Sequence, residues 1–456
     1  MHERATVLVI DGGGRGAALV DKYAQSEHVD RIIAIPGNDL AGSNTDKEVT
    51  SISSRNGKPI TTTDIPEILE ICHNERVELV DVAQDDAVAV GVTNAVRRTR
   101  IPVVGPTRNA GQIEWDKAWA RQMGDRWNLR QPEYLEVTTI EEGEWLIYTH
   151  PDKPRVIKAS GLALGKGVRF AQNWREAKAE IGNLREAFPE AASTYLLEEM
   201  LVGEEFSSFA LCDGSHHIII GHAQDHKKVF DNDQGDNTGG MGCSTPPILI
   251  TSELEAKIKN EVFSPVVEGL NKKRRPYKGV LYLGGMVTNS GEVYVIEFNA
   301  RWGDPEAQVI LPGLIGDLFE ISMAVSNGDI SNTHIQMDNK SRVVIAGVSK
   351  GYPGNYDTVK GRKVHGLDDA RKIRGVRVYG AGIKVVDGVH VANGGRLFYI
   401  VGEGKDVIEA RARAYDAMEL VSIDGDNLHY RTDIGWRDVE RIEKTKLASQ
   451  GDAFQG

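Results

Sequence analysis

The chain has 456 residues, 40% of them hydrophobic and 26% charged, a balance that suits a globular protein long enough for about three domains. Its formal net charge of −12 argues against a nucleic-acid partner, because duplex binding needs concentrated Lys and Arg to displace counterions. No apolar run approaches the ~18 residues of a membrane span, and three widely spaced cysteines, Cys72, Cys212 and Cys243, fit a reducing cytoplasm rather than a disulfide framework or a zinc site.

The first four residues lead straight into an apolar strand at 6–10, so no secretory signal and a cytoplasmic location are expected. A helical pattern at 16–25, a strand at 31–35, a helix at 65–73 and strands at 77–82 and 101–104 follow. This alternation predicts a parallel sheet with helices on both faces. Between the first strand and helix lies DGGGRGA, residues 11–17, whose glycines would let backbone N–H groups approach an anion at a helix N-terminus. The loop fits GxGxxA, but a dinucleotide site needs an acidic residue ending the second strand, and there Ile35 runs into Pro36-Gly37-Asn38. It is either a phosphate loop with Arg15 as the charged partner or a tight turn.

A second section begins near Asn109. EWDKAW, residues 114–119, places Lys117 on a helix beside a Trp115/Trp119 face. A strand at 154–158 ends in Lys158 and leads into ASGLALGKGV, residues 159–168. This is either a plain glycine-rich hairpin or a flexible one whose amides and Lys166 close over phosphates; it lacks the GxxxxGK[ST] of a Walker loop. After a helix at 174–187, a strand at 194–197 ends in EEMLVGEE, residues 198–205. Exposed backbone after a strand can bond an adenine, and a later carboxylate the ribose hydroxyls. A strand at 206–212 returns, followed by DHKK at 225–228 and DNTGGMG at 236–242. The latter is too glycine-dense for a strand or helix interior, and is either a loop around a small anionic substrate or ordinary surface.

The densest stretch is GEVYVIEFNARWGDPEAQ, residues 291–308. Residues 293–298 alternate like a half-buried strand, so Glu297 and Asn299 share a face. Both are hard oxygen donors, suited to a nucleotide-bound Mg²⁺ that draws its other ligands from water and phosphates; the alternative is a solvated edge. Arg301 follows on the same side. Beyond a helix at 318–325, strands near 342–348, 376–386 and 397–401 suggest a small sheet, with Arg396 at a turn from which it could reach the cleft, and a helix at 407–421. After Trp436 the segment is charged, and its last residues are expected to be disordered.

Taken in order, WDKAW, IKASGLALGKGV, LLEEMLVGEE, QDHKK, NTGGMG, IEFNARWGDPEAQ, GYPGNY, GGR and YRTDIGW resemble the phosphoribosylamine–glycine ligase family of ATP-grasp ligases along nearly the whole chain. The resemblance implies an α/β and α+β fold: a parallel-sheet pre-ATP-grasp domain at 1–108, a two-lobed ATP-grasp domain at 109–335 with a lid lobe near 128–205, a small C-terminal β-rich domain at 336–436, and a tail at 437–456. It implies ATP with Mg²⁺ or Mn²⁺, glycine and 5-phosphoribosylamine as substrates, glycinamide ribonucleotide, ADP and phosphate as products, and a monomer or homodimer.

Residue by residue, the resemblance assigns Lys117 and Lys158 to the ATP phosphates, Gly165-Lys166-Gly167 to the lid, Glu198 and Leu201 to the adenine, and Glu205 to the ribose. Lys228 and Asn237 would lie near the phosphates, Glu297 and Asn299 on the metal, and Asp225 and Arg301 at the chemistry. Gly14, Arg15, Gly239 and Gly240 would touch the substrates, with Arg15 on the 5-phosphate. The N-terminal loops depart from the family pattern: GGREHAL is here GGRGAAL, and a usual GPE is replaced at Ala83-Gln84-Asp85-Asp86. Asp85 or Asp86 would then accept the amine. The departures keep two other readings open, an ATP-grasp ligase for a different carboxylate and amine, and a non-catalytic nucleotide sensor.

Overall fold

The structure is a computed structural model and describes residues 4–150, 153, 155–163 and 165–452, of which 449–452 as backbone only. The N-terminal strands β1 (Ala5–Asp11), β2 (Val29–Pro36), β3 (Glu48–Ser51), β4 (Leu79–Val82) and β5 (Val103–Val104) form a parallel sheet in the order β3-β2-β1-β4-β5. The strand order turns back at β1, so helix α1 (Gly14–Ala24) starts beside the crevice where ligands gather in open α/β sheets. The expected alternation is present. The added β3, EVTS, was not anticipated because four half-exposed residues carry too little apolar signal.

The expected helix through Lys117 is broken. A short helix ends at Trp115, Asp116 takes a non-helical conformation, and α2 (Lys117–Arg126) begins with Lys117 in its first turn. The Asp116 carboxylate caps α2 by accepting from Trp119 N. Trp115 and Trp119 therefore do not share a helical face. Trp119 packs edge-on against Trp127, while the Trp115 indole donates to Arg108 O.

The region expected to form the lid lobe is an antiparallel sheet of β6 (Tyr134–Val137), β7 (Arg155–Ala159), β8 (Val168–Ala171) and β9 (Tyr195–Glu199), in the order β8-β7-β9-β6. Helix α3 (Trp174–Ala187), capped by Asn173, lays Ile181 and Leu184 on it with Val137, Ile157 and Leu197. This cluster is separate from the two larger cores. Pro154 of the expected strand and Leu164 of the expected lid lie outside the described residues.

The large sheet contains β10 (Gly203–Asp213), β11 (His217–Asp225), β12 (Gly242–Thr245), β13 (Lys278–Thr288), β14 (Val293–Asn299), β15 (Ser341–Ser349), β16 (Val376–Gly380) and β17 (Arg396–Gly404). Their order is β14-β13-β10-β11-β12-β15-β17-β16, antiparallel throughout. The four residues of β12 pair with β11 on one side and β15 on the other. The C-terminal strands thus continue the sheet that β10, β11, β13 and β14 begin, and Val7, Phe209, Ile345 and Tyr399 share one core. The charged segment after Gly435 is a helix, α4 (Trp436–Asp452), with Asp438 buried; residues 453–456, the end of the expected tail, lie outside the described residues. Among the described residues no helix is long and apolar enough to cross a membrane, and all three cysteines are free and buried.

Candidate active site

The strand β14 does not alternate as its sequence suggests. Its pairing with β13 shifts between Gly284, opposite Glu297, and Gly285, opposite Val295, leaving Ile296 unpaired. Without that extra residue Glu297 would share a face with Val293 and Val295, which are in the core. The shift re-aims it. Val293, Val295 and Phe298 stay inside while Glu297 and Asn299 both line a cleft of about 550 Å³.

The bulge also frees carbonyls. Arg121 of α2 donates to Val295 O at 3.0 Å and Ile296 O at 2.8 Å, and Lys158 Nζ donates to Ile296 O at 3.0 Å. Arg121 Nε lies 2.6 Å from Glu198 Oε1 and Lys158 Nζ 2.7 Å from Glu198 Oε2. This buried Arg–Glu–Lys triad ties the lid strands β7 and β9 to β14. Burial disfavours the Glu198 carboxylate, but Lys158 and Arg121 outweigh it and lower its pKa. The Glu198 side chain is thus committed to the triad.

Of the sequence-derived residues, Lys117, Lys158, Gly165, Gly167, Glu198, Leu201, Glu205, Lys228, Asn237 and Gly239 line this cleft with Glu297, Asn299, Arg301, Asp85 and Asp225. Lys166 does not: it is exposed and donates to Pro353 O at 3.4 Å. Lys227 is a cation the sequence reading passed over, 3.7 Å from Glu205. Lys228 sits 5.8 Å over the ring of Phe170 on lid strand β8. Burial alone would raise the Glu297 pKa, but Lys227, Lys117, Lys158 and Arg301 hold it down to about 2. A carboxylate ionised among four cations is arranged for a ligand carrying its own negative charge.

The donors fit a divalent metal held partly by phosphates. Glu297 makes no hydrogen bond or ion pair among the described residues, and Asn299 Oδ1 accepts from Arg301 at 2.9 Å with one lone pair to spare. The buried Asn299 Nδ2 has no partner among the described residues. Among the described residues no group of three or more His, Cys, Asp or Glu could hold a metal ion.

Arg301 is fixed by Glu114, whose Oε1 lies 3.2 Å from Arg301 Nε while Oε2 accepts from Ala300 N at 2.7 Å. Burial raises the Glu114 pKa to about 7, opposed by Arg301 and aided by Asp85. Asp225 ends β11 with Oδ1 buried and without a partner among the described residues, and burial, then Glu306, push its pKa well up. Glu306 itself accepts from Tyr282 at 2.8 Å and Ser207 at 3.2 Å. Arg396 does reach the site's edge: it donates to Gly239 O at 2.6 Å and Asp304 O at 2.8 Å. Gly240 is required there, since its φ is +111° and a Cβ would stand 2.4 Å from Pro305 and 2.9 Å from Asp225 Oδ1.

The N-terminal loop differs from its expected role. Asp11, ending β1, takes the amides of Gly13 at 2.6 Å and Gly16 at 3.0 Å. Arg15 donates to Asp11 Oδ2 at 2.7 Å, to Trp302 O at 2.9 Å and to Gln84 Oε1. The chain's own carboxylate thus occupies the start of α1, and Arg15 faces inward, off the cleft. Gly14 also lies off it, packed so that a Cβ would fall 2.2 Å from Tyr399. Asp86 accepts from Thr62 at 2.8 Å and Ala87 N at 2.6 Å and does not line the cleft; Asp85 does.

Comparison with known proteins agrees with this architecture. Three models of phosphoribosylglycinamide synthetase match in sequence: the N domain at 5–114, the ATP-grasp (A) domain at 115–307 and the C domain at 342–437. The chain is 36% identical over 439 residues to a phosphoribosylamine–glycine ligase of Escherichia coli O6:H1, covering 95% of this chain and 99% of that one. It is 35% identical over 445 residues to a trifunctional purine biosynthetic protein of Bos taurus, covering 97% of this chain but 43% of that longer one. The crystal structure of a phosphoribosylamine–glycine ligase from Thermotoga maritima superposes with a TM-score of 0.78 at 26% identity, covering 94% of this chain and 100% of that one. With all three domain models matched in order and the fold superposing over nearly its full length, the chain belongs to the phosphoribosylglycinamide synthetase family.

Proposed function

We propose that the chain joins glycine to 5-phosphoribosylamine at the expense of ATP, giving glycinamide ribonucleotide, ADP and phosphate. The observation that carries this is the convergence of Lys117, Lys158, Lys227, Lys228 and Arg301 with Glu297 and Asn299 on one cleft beneath the lid hairpin, together with the family membership.

A carboxylate is inert to an amine at neutral pH, so glycine is activated first. Its carboxylate oxygen attacks the γ-phosphorus of ATP, the bond to the ADP oxygen breaks, and glycyl phosphate forms. Lys117, Lys158 and Lys228 would neutralise the phosphate tail, with Gly165 and Gly167 over it, Asn237 beside it, Leu201 at the base and Glu205 at the ribose. Mg²⁺ or Mn²⁺ held by Glu297 and Asn299 would supply charge neutralisation at the transferred group. Arg301, fixed by Glu114, would orient the glycyl carboxylate. The amine nitrogen then attacks the acyl carbon, phosphate departs, and the proton released would pass to the Asp225 carboxylate, which lines the cleft at the end of β11. Asp85 and Gly239 would face the amine substrate.

An ADP-release assay tests this. Release is expected only when ATP, glycine and phosphoribosylamine are all present. Release that ignores phosphoribosylamine but follows another amine would instead make the chain a ligase of different specificity, and nucleotide binding without release under any pairing would make it a sensor.

A further inference from the structure

A second cavity, of about 470 Å³, lies where the first sheet meets the C-terminal strands. It shares no residue with the nucleotide cleft. Residues 43–46, in the loop before β3, line it together with Arg342 of β15, Arg371, and Arg377 of β16. The Asn44 side chain fastens the loop to β16 by donating to Val378 O at 3.0 Å.

The hydrogen-bond accounting is one-sided. Arg342, with its side chain 2% exposed, gives its two terminal nitrogens to Asp338 and Glu403, yet its Nε has no partner among the described residues. Arg371 gives Nη1 to Asp368 at 2.7 Å, and both its Nε and Nη2 are buried without a partner among the described residues. Ser43 Oγ is in the same condition. Every unpaired buried atom on this cavity can donate a hydrogen bond. Of the lining carboxylates, Glu403 is taken by Arg342 and Lys340, and Asp46 stands at the exposed rim. Arg377 contributes a third guanidinium, balanced by Asp21 of α1 at 2.9 Å.

Buried donors on cationic groups are costly to leave unmet, and guanidinium forks match the acceptor geometry of phosphate oxygens. The volume lies within the range of small-molecule sites. We propose that this cavity is a second anion site, one that takes the phosphate group of a small phosphorylated molecule against Arg371, Arg342 Nε and Ser43. The site is independent of the ligase reading, since it uses none of the residues assigned to catalysis.

Inorganic phosphate is the probe. With the nucleotide cleft saturated by ADP and magnesium, hydrogen exchange is followed in peptides covering 43–46 and 371–377 as phosphate is titrated against chloride at constant ionic strength. Saturable phosphate-specific protection of both segments is expected. Arg371→Gln is expected to weaken it about ten- to a hundredfold, as for loss of a charge-assisted contact, with turnover in the absence of added phosphate unchanged. Equal exchange in phosphate and chloride in the wild-type protein would overturn the proposal without recourse to any variant, as would protection of equal affinity in a folded Arg371→Gln.

Discussion

At the scale of single residues, the clearest divergence between sequence and structure is Arg15. A glycine-rich turn ahead of a helix reads as an anion cradle, and it is one, but the anion is Asp11 from the same loop. Nothing in the spacing of DGGGRG distinguishes an internal carboxylate from a bound phosphate. Arg15→Ala is therefore expected to lower global stability by about 3–5 kcal/mol, the cost of stranding one partner of a buried pair, read by denaturant unfolding. Wild-type stability with a raised KM for phosphoribosylamine would return the guanidinium to the substrate. Lys227 shows the opposite limit. Chemistry alone did not separate it from its neighbour Lys228, and only the turn after β11 brings both to the cleft.

At the scale of elements, most strands and helices were legible because their periods are clean; α3 has the bounds its pattern gives. Two breaks were not. The Trp115/Trp119 spacing reads as one helix, whereas Asp116 between them, an N-cap residue, was the available signal of a restart. The bulge at Ile296 hides within an unbroken VYVIEF alternation. Its trace lies on the facing strand, where Gly284 and Gly285 sit opposite Glu297 and Val295, and a Cβ on Gly285 would fall 2.4 Å from Phe206. The lid hairpin carries a prediction of its own. Gly165 has φ +72° and, among the described residues, nothing within 4 Å of where its Cβ would stand, and the lobe has a core of its own. Amides at 160–168 are expected to exchange fast in the free protein and to be protected when ATP and metal bind. Equal exchange in both states would leave the hairpin a static turn.

At the scale of the whole molecule, the sequence divides into three sections but the large sheet does not. The strand β12 carries it from the ATP-grasp strands into β15 and β17, which is why Arg396, some ninety residues after Asp304 in the chain, can pin Gly239 and Asp304 together. Such continuity has no local signature, because β12 is only four residues long and its partners are set by tertiary packing. The cleft is in this sense a product of the entire fold: α2 supplies Lys117 and Arg121, the lid supplies Lys158 and Glu198, and β14 supplies Glu297 and Asn299. The proposal that this cleft performs ATP-driven ligation stands most directly on Glu297, a carboxylate without a hydrogen bond or ion pair among the described residues and held ionised by the surrounding cations. The decisive measurement is ADP formation by Glu297→Ala at saturating ATP, glycine and phosphoribosylamine with magnesium at ordinary concentration, alongside its unfolding curve. The account predicts a folded protein with turnover abolished; turnover near that of the wild-type enzyme would contradict it.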